Sequence, residues 1–310
     1  MSVLFFLMFF IELCYTKCNI VKEVLHMVEV AAALLFFGNE ILICQRPKNK
    51  GNALLWEFPG GKLEPGETPE ECLIRECREE LGITISVFEQ YAEATHTYPD
   101  CTVHLRFYLA FTRERPKLLE HNDMRFVTRD ELCDYTFCPA DSDLVARLHA
   151  QTNALTLRPY RSSDCAPIIR LFRRTVHSIN LADYTQAQCN VWAPDTIDED
   201  RWQESLSAHT TVTVWDGDIL AGFGDLNIED AYFDRLYVHP CYQKIGVATK
   251  IAQALEDAAA NAGIQTLEVH ASITSRPFFT NRGYILCHAQ QVERAGCLLT
   301  NFVMKKSLGD

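Results

Sequence analysis

The sequence has no C-x-x-C pair, no excess of positive charge, no apolar run long enough to cross a bilayer and no internal repeat. Each absence removes a class of protein. Without a C-x-x-C pair the paired C-x-x-C pattern of a zinc ribbon is missing. The 13 cysteines, an odd number scattered through apolar stretches such as Leu42–Gln45 and Ile285–His288, read as reduced cytosolic thiols rather than a disulfide framework. Lys and Arg number 29 against 41 Asp and Glu, a net charge of −12, and both halves are acidic: 15 against 23 in residues 1–150 and 14 against 18 in residues 151–310. Such a balance does not suit the phosphate backbone of a long nucleic acid, so no nucleic-acid polymer is expected as partner. A small anion delivered with a divalent cation stays open. The longest apolar run, Val3–Leu13, has 11 residues and contains Glu12, against about 18–20 for a membrane-spanning helix. The first basic residue, Lys17, follows that run, so the positive segment of a secretory signal is missing. Residues 1–26 are expected to be an extension outside any domain, with a membrane-associating segment as the other reading. No stable membrane anchor is expected, and the chain is placed in the cytoplasm.

What is present is an ordinary globular composition, 48% hydrophobic and 23% charged, over 310 residues, a length that suggests two domains. The first half reads as a hairpin over Val28–Cys44 about Gly38-Asn39, a polar loop Arg46–Asn52, and a short apolar stretch Leu54–Phe58. A helix begins after Thr68 with Pro69 at its first position and ends before Gly82. Strands follow at Ile83–Phe88, Tyr91–Tyr98 and Thr102–Phe111, a short apolar element at Phe126-Val127, and a closing helix at Asp141–Leu148. The pattern lapses at 149–154, where the domain boundary is placed, giving domains 27–149 and 155–308. The second half predicts a strand at 155–158, a helix at 164–176 and a polar irregular region near Ala193–Asp200. Strands Thr210–Trp215, Ile219–Asn227 and Tyr232–Val238 come next, then a long helix Gly246–Ala262, a strand Thr266–His270, a short helix after Ser275, and strands near Tyr284 and Thr300–Met304. The class is mixed, α+β or α/β, in two domains.

Glu76, Glu79 and Glu80 stand at i, i+3 and i+4, so three carboxylates project from one helical face. A divalent cation resolves their repulsion, and hard oxygen ligands suit Mg²⁺ or Mn²⁺. Gly60-Gly61 before them lets backbone approach closely. With Gly61, Glu67, Arg75, Gly82 and Ile83, the spacing resembles the Nudix box, G-x5-E-x7-R-E-U-x-E-E-x-G-U, where U is a bulky aliphatic residue and Cys77 is the departure. Trp56–Lys62 and Phe137–Asp141 look like the MutT subfamily, which hydrolyses oxidised or otherwise unwanted nucleoside triphosphates, 8-oxo-dGTP among them, to the monophosphate and pyrophosphate. The resemblance covers about Val28–Leu148 and implies a mixed-sheet α/β/α sandwich. It also implies a role in nucleotide-pool sanitation and DNA repair, with Glu79, Glu80, the Gly60 carbonyl and Glu120 as metal ligands. Glu76 would be a further ligand or the general base, and Arg75 would orient the carboxylates. Arg46, Phe58 and Asp141 match positions that line the base pocket, but 8-oxoguanine-selective bacterial members carry Asn where this chain has Asp141, so pyrimidine triphosphates remain open. Asp141 as the cap of the helix that follows is the structural alternative.

In the second half, Leu236-Tyr237-Val238-His239-Pro240 leads through a loop to Gln243-Lys244-Ile245-Gly246-Val247-Ala248 and a long helix. Backbone N–H groups at such a helix start bind anions without basic side chains. The segment resembles the GNAT-family N-acetyltransferases, in which Q/R-x-x-G-x-G/A holds the pyrophosphate of acetyl-CoA and the preceding strand pairs with the pantetheine arm. Ser275–Tyr284 is similar to the family's second motif. The resemblance spans about Leu155–Leu308 and implies the acyl-CoA N-acyltransferase fold, with direct attack of an unidentified amine on the thioester. Many members have Tyr as general acid where this chain has Phe279, which cannot donate a proton. Asp234 and His239 are candidates for base or water relay, His239 equally for a loop residue before Pro240. Asp183, Asp195, Asp198, Glu199 and Asp200 would favour a cationic acceptor or form a solvated loop. A non-catalytic acetyl-CoA-binding domain is the alternative to a transferase.

Overall fold

The structure, a computed structural model, describes residues 27–150 and 155–309. The expectation for residues 1–26 lies outside the described residues, as does most of the expected boundary at 149–154. The described residues form two α/β units, each built on its own seven-stranded sheet.

In the first sheet β1 (Met27–Phe37) and β2 (Glu40–Gln45) form the expected hairpin, with Phe37 opposite Glu40 across the Gly38-Asn39 turn. Ala31–Phe36 are buried without alternation, because both faces of β1 are covered. β3 (Trp56–Glu57) extends the sheet beside β2, and β4 (Gly60–Lys62) pairs antiparallel with β1 at Ala32 and Gly60. α1 (Pro69–Leu81) begins where expected. The Thr68 hydroxyl accepts from the Glu71 N–H at 3.2 Å, the Glu71 carboxylate accepts from the Thr68 N–H at 2.9 Å, and Gly82 closes the far end at φ 64°. Its buried face carries Cys72, Leu73, Cys77 and Leu81, and with them Glu80.

The two strands expected at 83–88 and 91–98 are one, β5 (Ser86–Thr97), paired with β6 (Thr102–Phe111). Its register shifts between Val87 and Ala92, and that irregularity breaks the alternation on which the split reading rested. β7 (Asp123–Thr128) pairs with β2, and the strand path is β3-β2-β1-β6-β5. The closing helix divides into a 3₁₀ turn, Pro139–Asp141, and α2 (Ser142–Ala150).

The second unit runs β8 (Thr156–Pro159), α3 (Cys165–Ser178), α4 (Gln186–Trp192), α5 (Glu199–Ala208), β9 (Thr210–Asp216), β10 (Ile219–Asn227) and β11 (Tyr232–Val238). It continues with α6 (Val247–Asn261), β12 (Thr266–Ser272), α7 (Arg276–Asn281), β13 (Ile285–Arg294) and β14 (Cys297–Ser307). The sheet order is β13-β14-β12-β11-β10-β9-β8, antiparallel except between β11 and β12. The helices α4 and α5 are not in the sequence expectation, and the irregular stretch ends at Asp198, whose carboxylate caps α5 at the Arg201 N–H, 3.1 Å away. On the other face of the sheet α6 lies close over β10. A Cβ at Gly222 would stand 2.7 Å from Val247 Cγ1, and one at Gly224 2.7 Å from Ile251 Cγ2. These two glycines set how deeply the helix sits.

Candidate active sites

A cleft of about 450 Å³ opens in the first unit where α1, β4 and the segments around Arg46 and Glu120 meet. Glu76, Glu80, Glu120 and Gly60 line it together with Arg46. Glu79 does not; its half-exposed side chain stands beside Arg75, Oε2 being 3.5 Å from Nη1. The three glutamates share a helical face, but that face is wide enough to put Glu80 inside and Glu79 at the edge.

Arg75 ties this turn together. Its Nε and Nη2 donate to the two oxygens of Glu67 at 2.8 and 3.0 Å, and Nη1 donates to Glu76 Oε1 at 2.8 Å. The guanidinium, followed by the Glu64 N–H, holds Glu67 down at about 2. A Cβ at Gly61 would lie 2.1 Å from Glu76 Oε1, so any other residue there would displace the Glu76 carboxylate.

Burial lifts the Glu80 carboxyl to about 7, with Glu76 and Glu57 adding to the rise and His121 opposing it. Its Oε2 is buried with no hydrogen-bond partner among the described residues, and so is Nδ1 of His121, whose Nε2 lies 3.7 Å from Glu80 Oε1 and 3.6 Å from Glu57 Oε1. A buried oxygen without a partner, in a cleft that three further glutamates line, is the donor chemistry of Mg²⁺ or Mn²⁺. The residues present fit such an ion. Glu57 and His121 have no part in the sequence reading. Glu57 precedes Phe58 and His121 follows Glu120, but neither carries a spacing signal, and only the packing brings them here.

The residues expected around the base are divided. Arg46 lines the cleft and pairs with Glu57. Phe58 and Asp141 lie behind it, Phe58 packed against Phe107 and Phe137 with ring centroids 6.0 and 5.5 Å away. Asp141 is buried, and its carboxyl accepts from the backbone N–H of Phe58. Burial, with the Glu57 charge adding, raises its pKa well above the usual carboxylate range, while Arg46 and the Phe58 N–H oppose the rise.

The second unit holds a larger cleft, of about 570 Å³, between β11 and β12. The two strands pair only at Tyr232 with Glu268 and Phe233 with Val269, then part. All the residues expected to meet the cofactor except Ile245 line the gap. Gln243 spends its side chain within the loop, donating to the Val238 carbonyl at 2.8 Å. Lys244 and Gly246 take left-handed backbone at φ 61° and 90°, and α6 starts with no side-chain cap, so its first N–H groups are left for a ligand.

Asp234 lines the cleft, its pKa raised by burial and then by Asp225. His239 does not fit the expectation of a base. It is buried outside the lining, and its Nδ1 accepts from the Cys241 N–H at 3.2 Å, capping the 3₁₀ turn at Pro240. Phe279 is packed among Phe233, Phe278 and Tyr284. The acidic residues considered for a cationic acceptor lie outside the lining. Asp183 accepts from Thr274, Asp195 pairs with Arg173, Asp198 caps α5, and Glu199 and Asp200 occupy its first turn. The neighbouring cluster of His209, Asp225 and Asp234 is bridged from within: Arg235 Nε and Nη2 donate to Asp225 at 2.8 and 2.7 Å, which leaves a guanidinium where a cation would sit.

Comparison with known proteins divides the chain the same way. Residues 31–147 match the NUDIX domain, and residues 180–307 match the acetyltransferase (GNAT) domain. The CTP pyrophosphohydrolase of Escherichia coli is 35% identical over 139 residues, 44% of this chain and 98% of that protein. The 8-oxo-dGTP diphosphatase of the same organism is 36% identical over 112 residues, 36% of this chain and 87% of that protein. Over the second half, an uncharacterized N-acetyltransferase of Escherichia coli, YafP, is 33% identical over 154 residues, 49% of this chain and 96% of that protein.

Proposed function

The chain belongs to the Nudix hydrolases through its first half and to the GNAT N-acetyltransferases through its second, and from that premise we propose a bifunctional enzyme. The first half hydrolyses a nucleoside triphosphate to the monophosphate and pyrophosphate with Mg²⁺ or Mn²⁺. The second transfers acetyl from acetyl-CoA to an amine.

The observation that carries the first reading is the buried, unpartnered Oε2 of Glu80 in a cleft that Glu57, Glu76 and Glu120 also line. Glu76, Glu80, Glu120 and the Gly60 carbonyl would hold the ion, with Glu79 at the edge. The ion would supply charge neutralisation at the phosphates and an acidified water. Arg75 keeps the Glu76 carboxylate in one orientation, because a guanidinium bonded to Glu67 through two nitrogens cannot turn. Arg46, Lys50 and Lys62 at the cleft supply positive charge for a polyphosphate that an acidic chain otherwise repels.

For the base we favour an oxidised purine such as 8-oxo-dGTP. Burial pushes Asp141 toward its neutral form, and a neutral carboxyl offers one donor and one acceptor, as the Asn of 8-oxoguanine-selective members does. CTP is the second reading, supported by the CTP pyrophosphohydrolase that matches over nearly its full length. Incubation with a panel of nucleoside triphosphates and Mg²⁺ tests both. Pyrophosphate release fastest with 8-oxo-dGTP supports the first, fastest with CTP the second, and no release from any removes the hydrolase reading.

The acetyl-CoA reading is supported by the uncapped start of α6 at the end of the cleft. Calorimetry with acetyl-CoA tests it. Binding without acetyl transfer to any amine would make this half a regulatory module.

A further inference from the structure

We propose that His270 accepts the proton of the incoming amine in the second half and that Glu268 positions it. This rests on the acetyltransferase reading above. With Phe279 at the place of the usual acid and His239 spent on a cap, Asp234 is the candidate from the sequence that stays at the cleft, and its Oδ2 already lies 3.5 Å from Arg235 Nε and 3.9 Å from His209 Nδ1.

β12 alternates. Leu267, Val269 and Ala271 are buried on one face, and Glu268, His270 and Ser272 stand half-buried on the other. The parallel register with β11 ends at Phe233 and Val269, so Asp234 and His270 are the first residues of the two strands past the point of divergence. Both line the cleft. His270 Nε2 lies 3.0 Å from Glu268 Oε1, and Glu268 Oε2 lies 3.0 Å from Lys305 Nζ. The Lys305 ammonium, with His270, holds the Glu268 carboxyl below the usual carboxylate range.

An anionic Glu268 fixes the tautomer with the proton on Nε2, which leaves the lone pair on Nδ1. The neighbour of Nδ1 is the Gln290 amide at 3.4 Å, a long contact that an amine can replace. The Tyr232 ring packs at 5.0 Å on the imidazole. The charged groups around it are Glu268, Lys305 and Asp234, with Arg294 of β13 acting on Tyr232 and Asp234.

The step balances without a phenol at 279. The ammonium gives one proton to His270 Nδ1, the free amine attacks the thioester carbonyl carbon, and a C–N bond forms. As the C–S bond breaks, the electron pair leaves on sulfur, and the second ammonium proton follows it to give the free thiol. His270 returns its proton to water.

The test reads thiol release from acetyl-CoA with spermidine, glycinamide and lysine amide as acceptors, across pH. His270→Gln is expected to lower kcat about 100-fold or more, to abolish the acidic limb of the pH profile, and to leave acetyl-CoA binding unchanged by calorimetry. His270→Asn replaces it if the first variant loses that binding. Added imidazole should restore part of the rate to His270→Gly. Glu268→Gln should lower kcat by a smaller factor with KM for acetyl-CoA unchanged and should displace the acidic limb. Retention of the rate and the limb in both His270 variants overturns the proposal and leaves the transferase standing. A wild type that binds acetyl-CoA and acetylates none of the three amines overturns the transferase reading, and this proposal with it.

Discussion

In the first unit the groups proposed to face phosphate are carboxylates, Glu76 and Glu80 on one turn of α1, and a cation has to stand between them and the substrate. In the second they are backbone N–H groups at the start of α6, with no side-chain cap and no charge requirement. Both halves are acidic, and each is proposed to bind an anion in spite of it. The difference teaches where each site is vulnerable. A side-chain site fails with one side chain, whereas a backbone site fails when the packing that positions the backbone is disturbed.

The sharpest test of that contrast is Glu80→Gln. It removes a charge from the ion site while keeping shape, and pyrophosphate release should fall by more than about 100-fold, since even outer-shell changes cost 10–100-fold in metal affinity. Acetyl-CoA binding by calorimetry should not move. An unchanged hydrolysis rate would remove Glu80 from the site.

Gly222→Val is the counterpart. Its Cβ would stand 2.7 Å from Val247 Cγ1 and 3.0 Å from the Tyr237 carbonyl, so α6 has to lift off β10. Overpacking of this kind costs about 1–3 kcal/mol. The second unit should melt earlier and bind acetyl-CoA more weakly, with pyrophosphate release unaffected. Unaltered acetyl-CoA affinity would show that the seating of α6 does not matter.

Gln243→Ala should do less. The Gln243 amide holds the loop through the Val238 carbonyl rather than presenting a group to the cleft, so the loss is that of one hydrogen bond, about 0.5–1.5 kcal/mol, read as a modest rise in KM for acetyl-CoA. A loss of more than about 100-fold, a size that one neutral hydrogen bond does not reach, would mean that the side chain contacts the cofactor directly.

The smallest effect at neutral pH is expected from Asp141→Asn, which keeps one donor and one acceptor. Its signature is in the pH dependence. Burial raises the Asp141 pKa, so the native state holds a proton that the unfolded chain has already released above the ordinary value near 3.8. Stability from this group is complete below that value and declines as pH rises toward the raised pKa. Denaturant titrations across pH should show this decline in the wild type and less of it in Asp141→Asn. Identical slopes would place the Asp141 pKa in the ordinary range.

Much of the fold was legible because its signals are short-range. Thr68, Pro69 and Gly82 mark the two ends of α1, and β11 has the bounds expected of it, Tyr232–Val238. The helices α4 and α5 were missed for a physical reason. α5 reads EDRWQESLSA and buries Leu206, too little apolar surface to make a period, and it stands on the Asp198 cap and tertiary contact. β5 was split because its irregular register breaks the alternation of two that reveals a strand.

The sites divide in the same manner. The sequence by itself determined which turn carries the carboxylates and which loop opens α6, because spacing along a helix and the residues at its start are local properties. Only the tertiary structure decided that Glu80 is inside and Glu79 at the edge, that burial raises the Asp141 pKa, that His239 is a cap, and that Glu57, His121 and His270 stand at the clefts. Burial and partner choice are set by elements distant in sequence, and a one-residue step on a helix turns a side chain through about 100°, which is enough to exchange the cleft for solvent.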